Sequence, residues 1–180
     1  MTDNFSTVGI VAALSLMLSP QTGAADGVVI QELIVAAPTT EVQSDATIAA
    51  ARAFYDFWNT GDETFLKLAI APTFVDRTLP PGRPQGPAGP AFASHQFRAA
   101  VPDLKVTVEK MIVASNYVTV HMRFTGHFRG KFGSVQGAGQ AISFIATDLV
   151  KVEGGRITEN WHIEDNLTLF QQMGVAKVAS

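Results

Sequence analysis

Residues 159–166 read Glu-Asn-Trp-His-Ile-Glu-Asp-Asn, and the acid nearest the end of this segment, Asp165, is the first candidate for proton chemistry. It stands at the end of a strand pattern, where an apolar pocket would raise a carboxyl pKa toward neutrality and suit it to general acid/base work. It also stands immediately ahead of a helical pattern, where Asp is a favoured N-cap contributing about 1 kcal/mol. Spacing leaves both roles open. Strict alternation puts Ile157, Glu159, Trp161, Ile163 and Asp165 on one face, read as the core face, and Thr158, Asn160, His162 and Glu164 on the other. Glu159 cannot assist Asp165, because at about 3.3 Å per residue the two lie roughly 20 Å apart. A second carboxylate, Asp148, falls on the preceding strand with Phe144, Ala146 and Val150. A charge among such neighbours is costly unless paired, so Asp148 reads as the partner of a cation such as Arg77 or Arg123, or as a group of the site.

The remaining chemistry-bearing residues are sparse. His121 and His127 alternate onto a polar face with Thr119, Arg123 and Thr125, while His162 and His95 read as solvated positions. None of the four histidines has the spacing of a metal motif, and with no cysteine in the chain there is no thiolate nucleophile, thiolate metal site or disulfide. Tyr55, Phe57, Trp58 and Trp161 read as core aromatics whose polar ends could orient a ligand at a pocket wall. Gly137-Ala138-Gly139 precedes a strand and not a helix, which argues against a phosphate loop.

The elements that must position these residues divide the chain in two. Asp45 can cap a helix with Ile48, Ala51, Arg52, Tyr55 and Trp58 at helical spacing, ending at Asn59-Thr60-Gly61. Asp62 can cap a second helix over 64–70, stopped by Pro72, and 74–78 reads as extended. A loop rich in proline and glycine follows to Pro90, then a third helix over 92–100. Residues 104–114, 117–128, 138–152 and 156–164 are rich in β-branched and aromatic residues with period-two alternation, and the short links between them predict antiparallel pairing. Residues 166–173 fit a closing helical turn. The expected class is α+β, a twisted antiparallel sheet curling around N-terminal helices and leaving a pocket at its concave mouth. The strand over 138–152 is apolar on both faces, which predicts a homodimer through the outer face of the sheet.

Composition fits one domain: 180 residues, 47% hydrophobic and 16% charged. The net charge of -3, with basic residues scattered singly, argues against nucleic acid. The apolar run over 8–18 is too short for a membrane span and precedes small residues that suit a signal peptidase. Residues 1–25 therefore read as a signal peptide, 26–44 as a linker, 45–175 as the domain and 176–180 as a tail. That organisation implies a periplasmic or secreted protein without membrane attachment after processing, or a cytoplasmic one if the segment is retained.

Three segments carry a family resemblance: residues 54–62 (Phe-Tyr-Asp-Phe-Trp-Asn-Thr-Gly-Asp), 101–104 (Val-Pro-Asp-Leu) and 154–161 (Gly-Gly-Arg-Ile-Thr-Glu-Asn-Trp) with Asp165. In order and spacing they resemble the SnoaL-like polyketide cyclase family, within the nuclear-transport-factor-2-like superfamily of cone-shaped α+β folds. The resemblance implies a cofactor-independent enzyme of the ester cyclase type that binds a small apolar carbonyl compound and performs an aldol-type cyclisation or isomerisation. Asp165 would be its acid/base, and the leading expectation adds Trp161, Asp148, Tyr55, Arg77 and Phe128 at the substrate pocket. The competing expectation is an exported binding protein with the same fold and no catalysis.

Overall fold

The structure, a computed structural model, describes residues 27–37 and 40–176. The segment read as an export signal lies outside the described residues. In chain order the elements are β1 (Val29–Ile30), β2 (Leu33–Val35), α1 (Glu41–Thr60), α2 (Glu63–Ala69), β3 (Ile70–Asp76), α3 (Ala88–Ala100), β4 (Lys105–Ala114), β5 (Tyr117–Phe128), β6 (Lys131–Phe132), β7 (Val135–Gln136), β8 (Gln140–Glu153), β9 (Arg156–Glu164) and α4 (Asn166–Gln172). The main sheet runs β1-β4-β5-β8-β9-β3, with β2 also paired to β4. Its central strands are antiparallel, while β1 and β2 join β4 and β3 joins β9 in parallel. This is an α+β fold in which a curved sheet wraps around helices.

Local chemistry sets the helix boundaries. α1 begins earlier than Asp45, because Thr40 is the cap and its Oγ1 accepts from Gln43 N. It ends where predicted, at Gly61, whose φ of 80° lies in the left-handed region that glycine enters without a Cβ clash. Asp62 caps α2 by accepting from Thr64 N at 2.8 Å. Pro72 does not end that helix; the chain has already turned into β3, an edge strand that tolerates a missing N–H. α1 buries Ala50, Ala51, Phe54, Tyr55 and Phe57 against the concave face of the sheet. Fully burying each large apolar side chain stabilises the fold by roughly 1.5–3 kcal/mol. Within the segment read as linker, residues 29–30 and 33–35 pair with β4 and lengthen the sheet edge, and Val28 N anchors to Asp56 Oδ1 at 2.5 Å.

The consequential departure lies in β9. Lys151 pairs with Glu159 but the next residue, Val152, pairs with Ile157, so Thr158 is an extra residue opposite β8. Such a bulge breaks strict alternation. Ile157 faces the core as expected, but beyond the bulge Asn160 and His162 are the buried residues, whereas Trp161 is half-buried and Ile163 is exposed. The two faces assigned to this strand from alternation are therefore exchanged past Thr158.

Candidate active site

The exchange brings a cluster of polar residues onto an otherwise apolar concave face. Asp148 on β8 stands directly across from His162 on β9. Tyr55, buried on α1, donates its hydroxyl to Asp148 Oδ2 at 3.0 Å. His162 bridges two carboxylates, with Nδ1 at 2.7 Å from Glu164 Oε1 and Nε2 at 3.1 Å from Asp76 Oδ2. Asp76 ends β3 and is held by the loop that follows. Thr78 N donates to Asp76 Oδ1 at 2.9 Å, and Thr78 Oγ1 accepts from His162 N at 2.9 Å. Further along that loop, Gln85 grips the Asp76 backbone from both sides, accepting from its N at 2.8 Å and donating to its O at 2.9 Å. The pinned loop returns Arg83 to within 3.6 Å of Asp76 Oδ2.

Burial and mutual charge set the protonation of this cluster. Burial pushes the Asp148 carboxyl up to about 7, although the His162 charge and the Tyr55 hydrogen bond pull it down. Burial also works against the charged form of His162, but the hydrogen bonds and charges of Glu164 and Asp76 more than offset it and lift the imidazole to about 9. Burial pushes Glu164 upward too, yet the hydrogen bond and charge of His162, with Arg83 beyond, hold it below the usual carboxylate range. At neutral pH His162 is thus a buried cation clamped between carboxylates. Asp148 beside it is poised to gain or lose a proton, which is the condition a general acid/base needs.

Two cavities meet at this cluster. The larger is about 650 Å³ and is walled by Trp58, Phe92, Phe97, Phe124, Phe144 and Phe170, with Arg83 and Glu164 as polar elements. Its rings brace one another: Phe124 stacks on Phe144 at 5.0 Å, and Trp58 meets Phe124 edge-on at 6.2 Å. α4 closes one side with Leu169 and Phe170, and is pinned to β8 by the exchange of hydrogen bonds between the Gln172 side chain and the Ser143 backbone. The smaller chamber, about 30 Å³, contains Asp148, Asn160, His162 and Asp76 and shares Trp58, Arg83 and Phe124 with the larger one. Among the described residues no group of three or more His, Cys, Asp or Glu side chains is placed to hold a metal ion.

Of the residues singled out in the sequence, the structure brings Tyr55 and Asp148 together. Asp165 lies elsewhere: its carboxylate caps α4 by accepting from Thr168 N at 3.0 Å, and that bond holds its pKa below the usual range. It lines neither cavity. Trp161 sits half-buried on the outer face because of the bulge, and Arg77 is exposed there, paired with Glu159 at 2.6 Å. Phe128 is fully buried but lines neither cavity. Asp148 is not the partner of Arg77 or Arg123; the latter pairs with Glu109 at 2.7 Å on the outer face. Sequence reasoning missed His162, Glu164, Asn160, Asp76 and Arg83. The signal available was the placing of His162 and Glu164 two apart, on one strand face with Asn160.

The sequence profile described as SnoaL-like polyketide cyclase matches residues 48–173. Among solved structures, a candidate polyketide cyclase of Bacillus cereus is 34% identical with a TM-score of 0.77, covering 86% of this chain and 97% of its own. IdmH, a candidate polyketide cyclase of Streptomyces antibioticus, is 27% identical with a TM-score of 0.64, covering 72% of this chain and 99% of its own. TsrD of Streptomyces laurentii, 23% identical, has a TM-score of 0.66 and covers 73% of this chain and 97% of its own. No curated protein matches the chain. The profile runs from within α1 to the end of α4, taking in β3 to β9 and both cavities, and the chain belongs to the SnoaL-like polyketide cyclase family.

Proposed function

We propose that the protein is an acid/base enzyme that closes or rearranges an apolar carbonyl compound, with Asp148 carrying the proton. The observation that supports this most directly is a buried carboxyl with a pKa of about 7 beside a cavity large enough for a small multi-ring molecule. In the forward direction the Asp148 carboxylate is the final acceptor of a proton lost from carbon next to the substrate carbonyl. The His162 imidazolium and the Arg83 guanidinium offset the negative charge that develops on the enolate oxygen. The enolate carbon then adds to a second carbonyl of the same molecule, and the resulting alkoxide receives its proton from the Asp148 side. The substrate gains and loses no atoms, and proton transfer of this kind requires only groups the protein already supplies.

The test uses 2-tetralone, a bicyclic ketone with acidic hydrogens next to its carbonyl, and follows their exchange in D2O by NMR. Wild-type protein is expected to accelerate exchange and Asp148→Asn to lose that acceleration at least 100-fold while still folding. Equal rates in the two proteins would refute the assignment of Asp148.

One observation favours a second reading, a binding protein without catalysis. The Asp148 chamber, at about 30 Å³, is too small for a carbon skeleton, so a ligand could fill the larger cavity without touching the carboxyl. The same exchange assay separates the two, since a binding protein would retain a co-purifying ligand, detectable by mass spectrometry, and accelerate nothing.

A further inference from the structure

The small chamber contains an unanswered hydrogen-bonding demand. Asn160 is 5% exposed, and its Oδ1 has no hydrogen-bond partner. A buried acceptor left in that state costs about 1–3 kcal/mol. Its neighbours cannot answer it. Both ring nitrogens of His162 are taken, by Glu164 and Asp76, and the Tyr55 hydroxyl is committed to Asp148 Oδ2 and not to Oδ1. The rest of the wall is mostly apolar, including Phe54, Met122, Phe124 and Ala146, and its two remaining donors, Trp58 and Arg83, make no hydrogen bond to Asn160 Oδ1. The chamber volume of about 30 Å³ exceeds the roughly 10–15 Å³ that an ordered water needs.

Resting on the acid/base reading above, we propose that this chamber holds one ordered water between Asn160 Oδ1 and Asp148 Oδ1, which carries the proton between Asp148 and a substrate seated in the larger cavity. A water donating one hydrogen to each of these acceptors keeps its lone pairs for the side facing Trp58, Phe124 and Arg83, the wall shared by both cavities. The substrate C–H proton passes to the water oxygen as the water passes a hydrogen to Asp148, so the water is regenerated in the same step. On return Asp148 donates to the water and the water to the alkoxide. Proton transfer through one intervening water is within the reach of a general base. Asn160 is then a positioning residue, and the size of the chamber, which argues against direct contact between Asp148 and carbon, becomes compatible with catalysis.

The experiment combines high-resolution crystal structures of the full chain with the 2-tetralone exchange assay. In wild type a single water peak is expected within hydrogen-bonding distance of Asn160 Oδ1 and Asp148 Oδ1. Asn160→Leu, which removes the acceptor and fills the chamber, should lose the peak and slow exchange 10- to 100-fold. Asn160→Ser, which keeps an acceptor and leaves room, should retain the peak and stay within about threefold of wild type, a rescue that a purely structural role would not produce. An empty chamber in wild type, or Asn160→Leu exchanging within twofold of wild type, overturns the relay. Should Asn160→Leu fail to fold, the wild-type peak and the Asn160→Ser rate still decide. Absence of exchange in wild type would refute the acid/base reading instead, while the water peak and its loss would still settle the site.

Discussion

Asp148→Asn should change the pH dependence of stability in a defined window. The folded carboxyl titrates at about 7 against an ordinary value of 3.8. Because the folded pKa is raised, the group costs nothing when protonated in both states, and its burial penalty grows as pH climbs from the unfolded value through the folded one. At 1.36 kcal/mol per pKa unit, the full penalty above neutral pH is roughly 4 kcal/mol. His162 has the opposite charge type and a separate window. Its stabilising contribution is complete below about pH 6.5 and is lost as pH rises through about 9. Between pH 4.5 and 6.5 the Asp148 contribution therefore stands clear of the His162 window, and integrating its titration gives a fall of roughly 2.5 kcal/mol in wild type that the asparagine variant lacks. Other carboxylates slope the other way but do so equally in both proteins, so the difference between the two isolates Asp148. The assay is urea unfolding followed by tryptophan fluorescence at several pH values. The variant should gain on wild type steadily across the window, ending more stable at pH 6.5 than at 4.5 relative to it. Parallel curves would mean that Asp148 is not a buried, proton-holding carboxyl, and the acid/base assignment would fall with it.

Tyr55→Phe removes the hydroxyl that favours the charged carboxylate, so the Asp148 pKa should rise by about one to two units, at roughly 1.5–3 kcal/mol for a hydrogen bond to a charged group. Carboxyl ¹³C NMR titration would show it, and an unmoved midpoint would count against the bond. His162→Gln leaves Asp76 and Glu164 without their shared cation and should cost about 3–5 kcal/mol at pH 6, with a much smaller loss at pH 9.5, where wild type has already released that proton. Equal losses at both pH values, measured by urea melts, would contradict a charged His162. Asp165→Ala should cost about 1 kcal/mol as a lost helix cap and leave ketone exchange unchanged; lost exchange at unchanged stability would restore Asp165 as the acid/base. The outer face carries Ile163, 77% exposed, beside Leu149 and half-buried Trp161, with the ion pairs Arg77–Glu159 and Arg123–Glu109 on the same face. A homodimer through this face should become monomeric on Ile163→Lys in light scattering, and a monomeric wild type would refute it.

Much of the fold is readable because its signals are local and redundant. The glycine at 61, the caps at 62 and 165, and the alternation of Val118, Val120, Met122 and Phe124 each state one element without knowledge of the others. Hairpin links then leave little freedom in how the central strands pair. The site is harder to read, because its members come from α1, β3, the loop after it, β8 and β9, and only the tertiary fold brings them within hydrogen-bonding distance.

What misdirects the sequence reading is a single residue. Alternation starting at Ile157, which does face the core, carries through Thr158 to Trp161 and Ile163, whose apolar character agrees with it. The bulge shifts the count by one, so the apolar residues beyond it belong to the outer face and the histidine and asparagine to the inner one. Nothing in Thr158 announces this, since threonine is an ordinary strand residue and the bulge is fixed by how β9 must register with both β8 and β3. The same count misplaces the face of Asp165, putting it with Trp161 on the core side, whereas the inward positions past the bulge are 160, 162 and 164; its other reading, as the cap of α4, is the one the structure shows. Asp148 escaped the error because β8 carries no extra residue before it, and its inward neighbours Phe144, Ala146 and Val150 fix its direction. A buried acid in an apolar strand whose cation partner is missing from its own element was therefore the sounder clue, since its charge has to be answered from across the fold. Here it is answered by His162 from the strand whose direction the bulge conceals.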